Sequence, residues 1–236
     1  MSQLAIITGA SSGIGAAAAE RFVAKGFTTI NVSRRECPVA GVENICGDLA
    51  EPVAARAIAA DLAHQIGQLN PKEVSLVHNA ALMLKDDTEH CSDEDLARVM
   101  QINIGAINTL NRELIPLLKQ GSSVLYVGST LSEKAVAGAF SYVVSKHAQL
   151  GMMRATCQDL MGRGIHTALI CPGFTNTEML RNHIGDDPDI MSAISNMNSF
   201  HRLIEPGEIA EMIVWSHANP VINGSVLHGN LGQQER

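Results

Sequence analysis

The chain has 236 residues, 46% of them apolar and 17% charged, with a formal net charge of −7. That apolar content suffices for a sizeable core and excludes wholesale disorder. The acidic balance excludes the electrostatic footprint of a nucleic-acid binder or of a polybasic membrane-surface protein.

Residues 4–7 read as a buried strand, followed by a helix over 13–25 that Gly26 closes. Residues 28–32 are β-branched and strand-like, 44–46 form a short third strand, and Pro52 opens an alanine-rich helix over 52–66. A strand over 74–78 precedes a long helix over 93–118, which Ser92 caps and Asp93, Glu94 and Asp95 favour electrostatically. Pro116 is expected to disturb the end of that helix. A strand over 124–127, a helix over 141–162 and a strand over 166–171 follow. A helix over 206–217 and a last strand over 225–228 complete the pattern.

This alternation predicts an α/β fold, a doubly wound parallel sheet of about seven strands with helices on both faces, in one domain over 1–236. Residues 174–205 show no steady period. Because they follow a strand they should lie over the carboxyl edge of the sheet, as a substrate lid.

Thr8-Gly9-Ala10-Ser11-Ser12-Gly13-Ile14-Gly15 joins the first strand to the first helix. Glycines permit a tight turn and close approach of a pyrophosphate, and the helix N-terminus supplies free N–H groups and positive dipole. The second strand ends Asn31-Val32-Ser33-Arg34-Arg35, without the carboxylate that would bind the ribose 2′-hydroxyl of NAD(H). An arginine fork suits a 2′-phosphate. NADP(H) is therefore favoured, with Arg34 the main contact and Ser33 and Arg35 weaker ones; NAD(H) stays open.

Tyr142 and Lys146 stand at i and i+4, on one face of a helix. A nearby ammonium, helped by the nicotinamide's positive charge in the oxidised complex, should lower the phenol pKa from about 10 by about 2–3, suiting it to acid–base work near neutrality.

Together these motifs resemble the short-chain dehydrogenase/reductase family, from Leu4 to Gly232. The turn is similar to its Thr-Gly-x-x-x-Gly-x-Gly motif. Asp48-Leu49 resembles an adenine-contacting pair, and His78-Asn79-Ala80-Ala81 an Asn-Asn-Ala-Gly motif in which His78 and Ala81 depart from the pattern. The Ala81 methyl would narrow the nicotinamide side. Ser129 and Tyr142 resemble the family's serine and acid–base tyrosine, and Lys146 its ribose-binding lysine. Asn103 resembles the helix asparagine that holds a water linking lysine to solvent. Pro172-Gly173 resembles the segment that meets the nicotinamide carboxamide, with Thr177, or less well Thr175, supplying a hydroxyl.

The resemblance implies hydride transfer between the nicotinamide and a carbonyl or alcohol substrate. It also implies a homodimer or homotetramer, to which the apolar stripes on the helices over 93–118 and 141–162 independently point. A non-catalytic NADP(H) sensor on the same fold is the alternative. An epimerase with the same Tyr–Lys pair would usually carry a larger C-terminal domain. Cys37, Cys46, Cys91, Cys157 and Cys171 include no Cys-x-x-Cys pair, and no His-x-x-x-His occurs. Neither a disulfide framework nor a metal site is expected. Met1-Ser2-Gln3 lacks the basic flank of a secretory leader, and a cytoplasmic protein is expected.

Overall fold

The computed structural model describes residues 2–185 and 187–234. Its sheet has seven parallel strands: β1 (Gln3–Thr8), β2 (Thr28–Ser33), β3 (Val42–Cys46), β4 (Glu73–His78), β5 (Ser123–Val127), β6 (His166–Pro172) and β7 (Ser225–Gly229), in the order β3-β2-β1-β4-β5-β6-β7. Side chains alternate across it. Leu4 and Ile6 join one core with Leu76 and Val124, against α2 (Pro52–Leu69) and α5 (Phe140–Asp159). Ala5 and Ile7 join the other with Val77 and Leu125, against α1 (Gly13–Ala24) and α8 (Pro206–Ala218). Burial on both faces is what makes these strands continuous apolar runs rather than alternating ones.

The chain steps outward from β1 in both directions, through β2 and through β4. The strand order therefore switches between β1 and β4, and a crevice opens at their carboxyl ends, where doubly wound sheets bind ligands. Gly9 follows one of these strands and Asn79 the other.

The expected continuous helix over 93–118 is instead broken. It comprises α3 (Asp93–Met100), a π-helical turn (Gln101–Gly105), α4 (Ala106–Leu114) and a 3₁₀ turn (Ile115–Leu117). The π turn centres on Asn103, whose amide bonds away from the helix, and the last turn contains Pro116, which has no N–H to continue the ladder. Residues 174–205 also differ from the expectation of an aperiodic segment, since they form α6 (Glu178–Ile184) and α7 (Pro188–Ser195). Thr177 caps the first and Asp187 the second. Asp186 lies outside the described residues. The ends of this segment are tied together: Asn176 N–H donates to Ile204 O at 2.8 Å and Ile204 N–H to Phe174 O at 3.0 Å. No helix among the described residues is long and apolar enough to cross a membrane.

Candidate active site

The glycine turn is built for close approach. Gly9 and Gly13 have φ of 73° and 55°, which an L side chain resists. A Cβ on Gly15 would lie 2.3 Å from Gly9 O and 2.6 Å from Asn79 Nδ2, so nothing larger fits. Ser12 precedes α1 in extended conformation and makes no capping bond, so its side chain leaves the first N–H groups of a 12-residue helix unengaged. That is the chemistry an anionic pyrophosphate requires. The turn is braced from below. Thr8 Oγ1 accepts from Asn79 N–H and Ala80 N–H, both at 3.0 Å, and Asn79 Nδ2 donates to Thr8 O and Gly9 O at 3.0 and 3.1 Å. Buried Asn31 Oδ1 accepts from Ala10 N–H at 3.0 Å. Asn31 was not singled out from sequence; a lone amide between the β-branched apolar residues Ile30 and Val32 was its signal.

At the end of β2 the polar groups divide their work. Arg34 is exposed, with no hydrogen bond or ion pair among the described residues. The Ser33 hydroxyl donates to Arg35 O, and the Arg35 guanidinium pairs with Glu178 of α6 at 3.1 Å. Asp48 Oδ1 accepts from Ala50 N–H at 2.9 Å, turning the carboxylate toward its own loop, while Leu49 is buried in the core. Ser11, Ile14 and Ala81 are half-buried beside the turn and the end of β4.

The candidate catalytic groups converge at the ends of β5 and β6. Tyr142 and Lys146 lie on the inner face of α5, 7% and 2% exposed, with Nζ 5.4 Å from the centre of the phenol ring. Nζ donates to Val127 O at 2.7 Å and to Gln149 Oε1 at 3.0 Å. Burial pushes Tyr142 up to about 12, with the nearby Ser129 side chain working the other way, and pushes Lys146 down to about 8. Without the nicotinamide's charge the phenol pKa is raised, not lowered. In the free protein desolvation is the largest cause, and the Lys146 donors point away from the phenol to Val127 and Gln149. A phenol that stays protonated is suited to donating a proton.

Ser129 begins a 3₁₀ turn (Thr130–Ser132), its Oγ accepting from Leu131 N–H at 3.1 Å. Asn103 is fully buried; Oδ1 accepts from Leu82 N–H at 2.8 Å, and Nδ2 donates to Leu82 O at 3.0 Å and Ser145 Oγ at 2.9 Å. It thereby clamps the loop after β4 to α5. Asp86 in that loop accepts from Ser141 N–H at 3.1 Å and fixes the start of α5; sequence reasoning missed it, as it missed Gln149.

Pro172 pairs with Gly229 at the end of β6, and Gly173 N–H donates to Gly229 O at 3.1 Å. Thr175 Oγ1 donates to Gly173 O at 3.0 Å, and Thr177 Oγ1 donates to Thr175 O at 3.3 Å while accepting from Leu180 N–H. The Thr177 methyl lies 3.1 Å from where a Cβ of Gly13 would stand, so the start of α6 rests on the glycine turn. An open cavity of about 380 Å³ lies between the loop after β4, the loop before α5 and α6, lined by Lys85, Asp86, His90, Gly138 and His183 among others.

A seven-stranded parallel sheet with a braced glycine turn at its switch point and a buried Tyr–Lys pair across the crevice defines the Rossmann-like oxidoreductase class. The chain matches the family model described as enoyl-(acyl carrier protein) reductase over residues 9–234. It is 30% identical to the A-factor type gamma-butyrolactone 1'-reductase (1S-forming) of Streptomyces virginiae, over 95% of this chain and 93% of the relative. It is 26% identical to the 3-oxoacyl-(acyl-carrier-protein) reductase of Vibrio harveyi, over 98% and 96%. Among solved structures, a short chain dehydrogenase from Burkholderia cenocepacia in complex with NADP superposes with a TM-score of 0.85 at 25% identity, over 97% and 96% of the two chains. The chain belongs to the short-chain dehydrogenase/reductase family.

Proposed function

We propose that this protein is an NADP(H)-dependent oxidoreductase that interconverts a carbonyl and a secondary alcohol, with Tyr142 as the acid–base group. The observation that carries this reading is the burial of Tyr142 beside Lys146, whose Nζ lies 5.4 Å from the centre of the phenol ring. The residues present fit the dinucleotide. The glycine turn with the free end of α1 would hold the pyrophosphate, Arg34 and Arg35 a 2′-phosphate, Asp48 and Leu49 the adenine side, and Lys146 the ribose. Ala81, Pro172, Gly173 and Thr175 or Thr177 would border the nicotinamide. When bound, the nicotinamide supplies or accepts the hydride.

The protein's own part is to handle the oxygen. Ser129 and Tyr142 orient the carbonyl, and Tyr142 donates its proton as negative charge develops there. The Lys146 ammonium, once aligned, stabilises the resulting phenolate and lowers the cost of transfer. In oxidation the same groups act in reverse. Residues 174–205 act as a lid that excludes water, and substrate enters by the cavity beside α6.

NADP(H) is favoured because β2 ends in arginines with no carboxylate until Glu36 and because Arg34 has no partner among the described residues. The Burkholderia relative with NADP is consistent with this; 4-hydroxyisoleucine dehydrogenase, 24% identical, is described with NADH. Val144 and Met161 stand exposed on and just beyond α5, an apolar margin suited to pairing in a homodimer or homotetramer. Reduced thiols suit the cytoplasm.

The decisive experiment is oxidation of NADPH against a panel of ketones, including lactone-linked and acyl ketones, with Tyr142→Phe as control. The variant is expected to lose turnover by about a thousandfold while binding NADPH nearly normally. Retention of most of the turnover rejects the assignment.

A further inference from the structure

A buried lysine ordinarily needs a carboxylate partner. Lys146 has none among the described residues. The groups that bind it are two neutral oxygens, Val127 O at 2.7 Å and Gln149 Oε1 at 3.0 Å. The ionisable groups that act on it or lie against it are Tyr142 on its own helix and the Cys171 thiol on β6. Burial raises that thiol, and Glu133 in the loop after β5 raises it further. Gln149 is 1% exposed and lies three positions after Lys146, on the same side of α5.

The choice of acceptor has an electrostatic consequence. A carboxylate here would hold the amine charged but would also cancel its field at the phenol. An amide oxygen satisfies one N–H and leaves the positive charge undiminished. An aliphatic side chain would leave that N–H without a partner in a buried site and favour loss of the proton.

We propose that Gln149 is a positioning residue for Lys146, a neutral acceptor that holds the buried ammonium in place without cancelling the charge it presents to Tyr142. The role presupposes Tyr142 and Lys146 as the proton-transfer pair, and it belongs to a side chain that touches neither cofactor nor substrate in that reading. Val127 supplies the second oxygen through its backbone, so Gln149 is the acceptor that substitution can change.

The test uses cofactor-free protein with isotope-labelled lysine side chains, titrated by NMR, the Lys146 resonance being assigned with Lys146→Met. Gln149→Glu is expected to raise the Lys146 midpoint by about one unit or more, and Gln149→Met to lower it by about one unit. In alcohol oxidation the acid limb of kcat/KM should move to higher pH in both, because one cancels the charge and the other lets it be lost. In a Lys146→Met background, Gln149→Met should leave that limb where it is. Gln149→Glu, close to isosteric, decides the matter if methionine packs badly. Unchanged Lys146 midpoints, or an equal shift of the limb without Lys146, overturn the proposal. Full turnover by Tyr142→Phe would instead overturn the acid–base assignment, leaving the Lys146 titration to report on the Gln149 contact alone.

Discussion

Arg35 and Glu178 form an ion pair at 3.1 Å although 143 positions separate them, joining the loop after β2 to the first residue of α6. In the proposed function the guanidinium belongs to a 2′-phosphate, so the Glu178 carboxylate competes with the cofactor for it. Both side chains are more than half exposed, which limits the strength of the pair. Glu178→Gln should therefore tighten NADPH binding by about twofold to fivefold and leave NADH binding unchanged. Fluorescence titration of both cofactors checks this; an equal change for the two would show that the carboxylate does not address the phosphate.

Two glycines in helices should respond oppositely to alanine. At Gly15 the new methyl would fall 2.3 Å from the backbone oxygen of Gly9, in a turn braced on three sides. Gly15→Ala is expected to cost about 1–3 kcal/mol of stability and to impair dinucleotide binding. Gly67, inside α2, has nothing within 4 Å of the corresponding position. Gly67→Ala should gain about 0.5–1 kcal/mol, since alanine loses less backbone freedom on folding. Urea denaturation of the pair reads both signs.

Asn103 binds both backbone groups of Leu82 and the Ser145 hydroxyl from within the π turn. Asn103→Ala leaves these groups without partners and should cost about 1–3 kcal/mol, with a fall in kcat. Hydrogen exchange at Leu82 should rise in the variant. If Leu82 stays as protected as before, the clamp is not what holds the loop after β4 to α5.

The acid side of the stability profile should be steep. Burial pushes His78 and His217 from 6.5 down to about 4. His78 bonds Asn111 Oδ1 at 2.8 Å, and His217 Nδ1 bonds the Ser123 hydroxyl at 2.8 Å. Their folded pKa values lie below the unfolded value, so the unfolded chain binds the extra protons as acid is added. The contribution is whole above pH 6.5 and is lost as pH falls toward 4. The two groups together should lower stability by several kcal/mol over that window, at about 1.4 kcal/mol per proton and pH unit. Thermal melts across the window should show a falling Tm, with a shallower slope in His78→Asn. A slope identical to that of the parent would mean that His78 is already charged when folded.

Much of the candidate site's geometry was legible because its signals are local. The glycines between β1 and α1 announce a turn by their spacing, and Tyr142 and Lys146 share a face because one helical turn separates them. Departures arose where distant chain meets. Nothing local to 93–118 reveals that Asn103 will bond Leu82 and Ser145, so the π turn there was unforeseen. The helices within 174–205 were hidden because α6 and α7 are short, each started by a cap rather than by a sustained apolar period.

By itself the sequence determined the alternation of strand and helix, the parallel sheet it implies, and the order of the candidate site residues, since these follow from periodicity and spacing along one chain. Only the tertiary structure decided that Lys146 faces Val127 and Gln149, that Arg35 faces Glu178, and that the phenol of Tyr142 is pushed up rather than down. The physical reason is that desolvation and ion pairing depend on what the crossovers bring to cover a group, and residues far apart in the chain supply that cover.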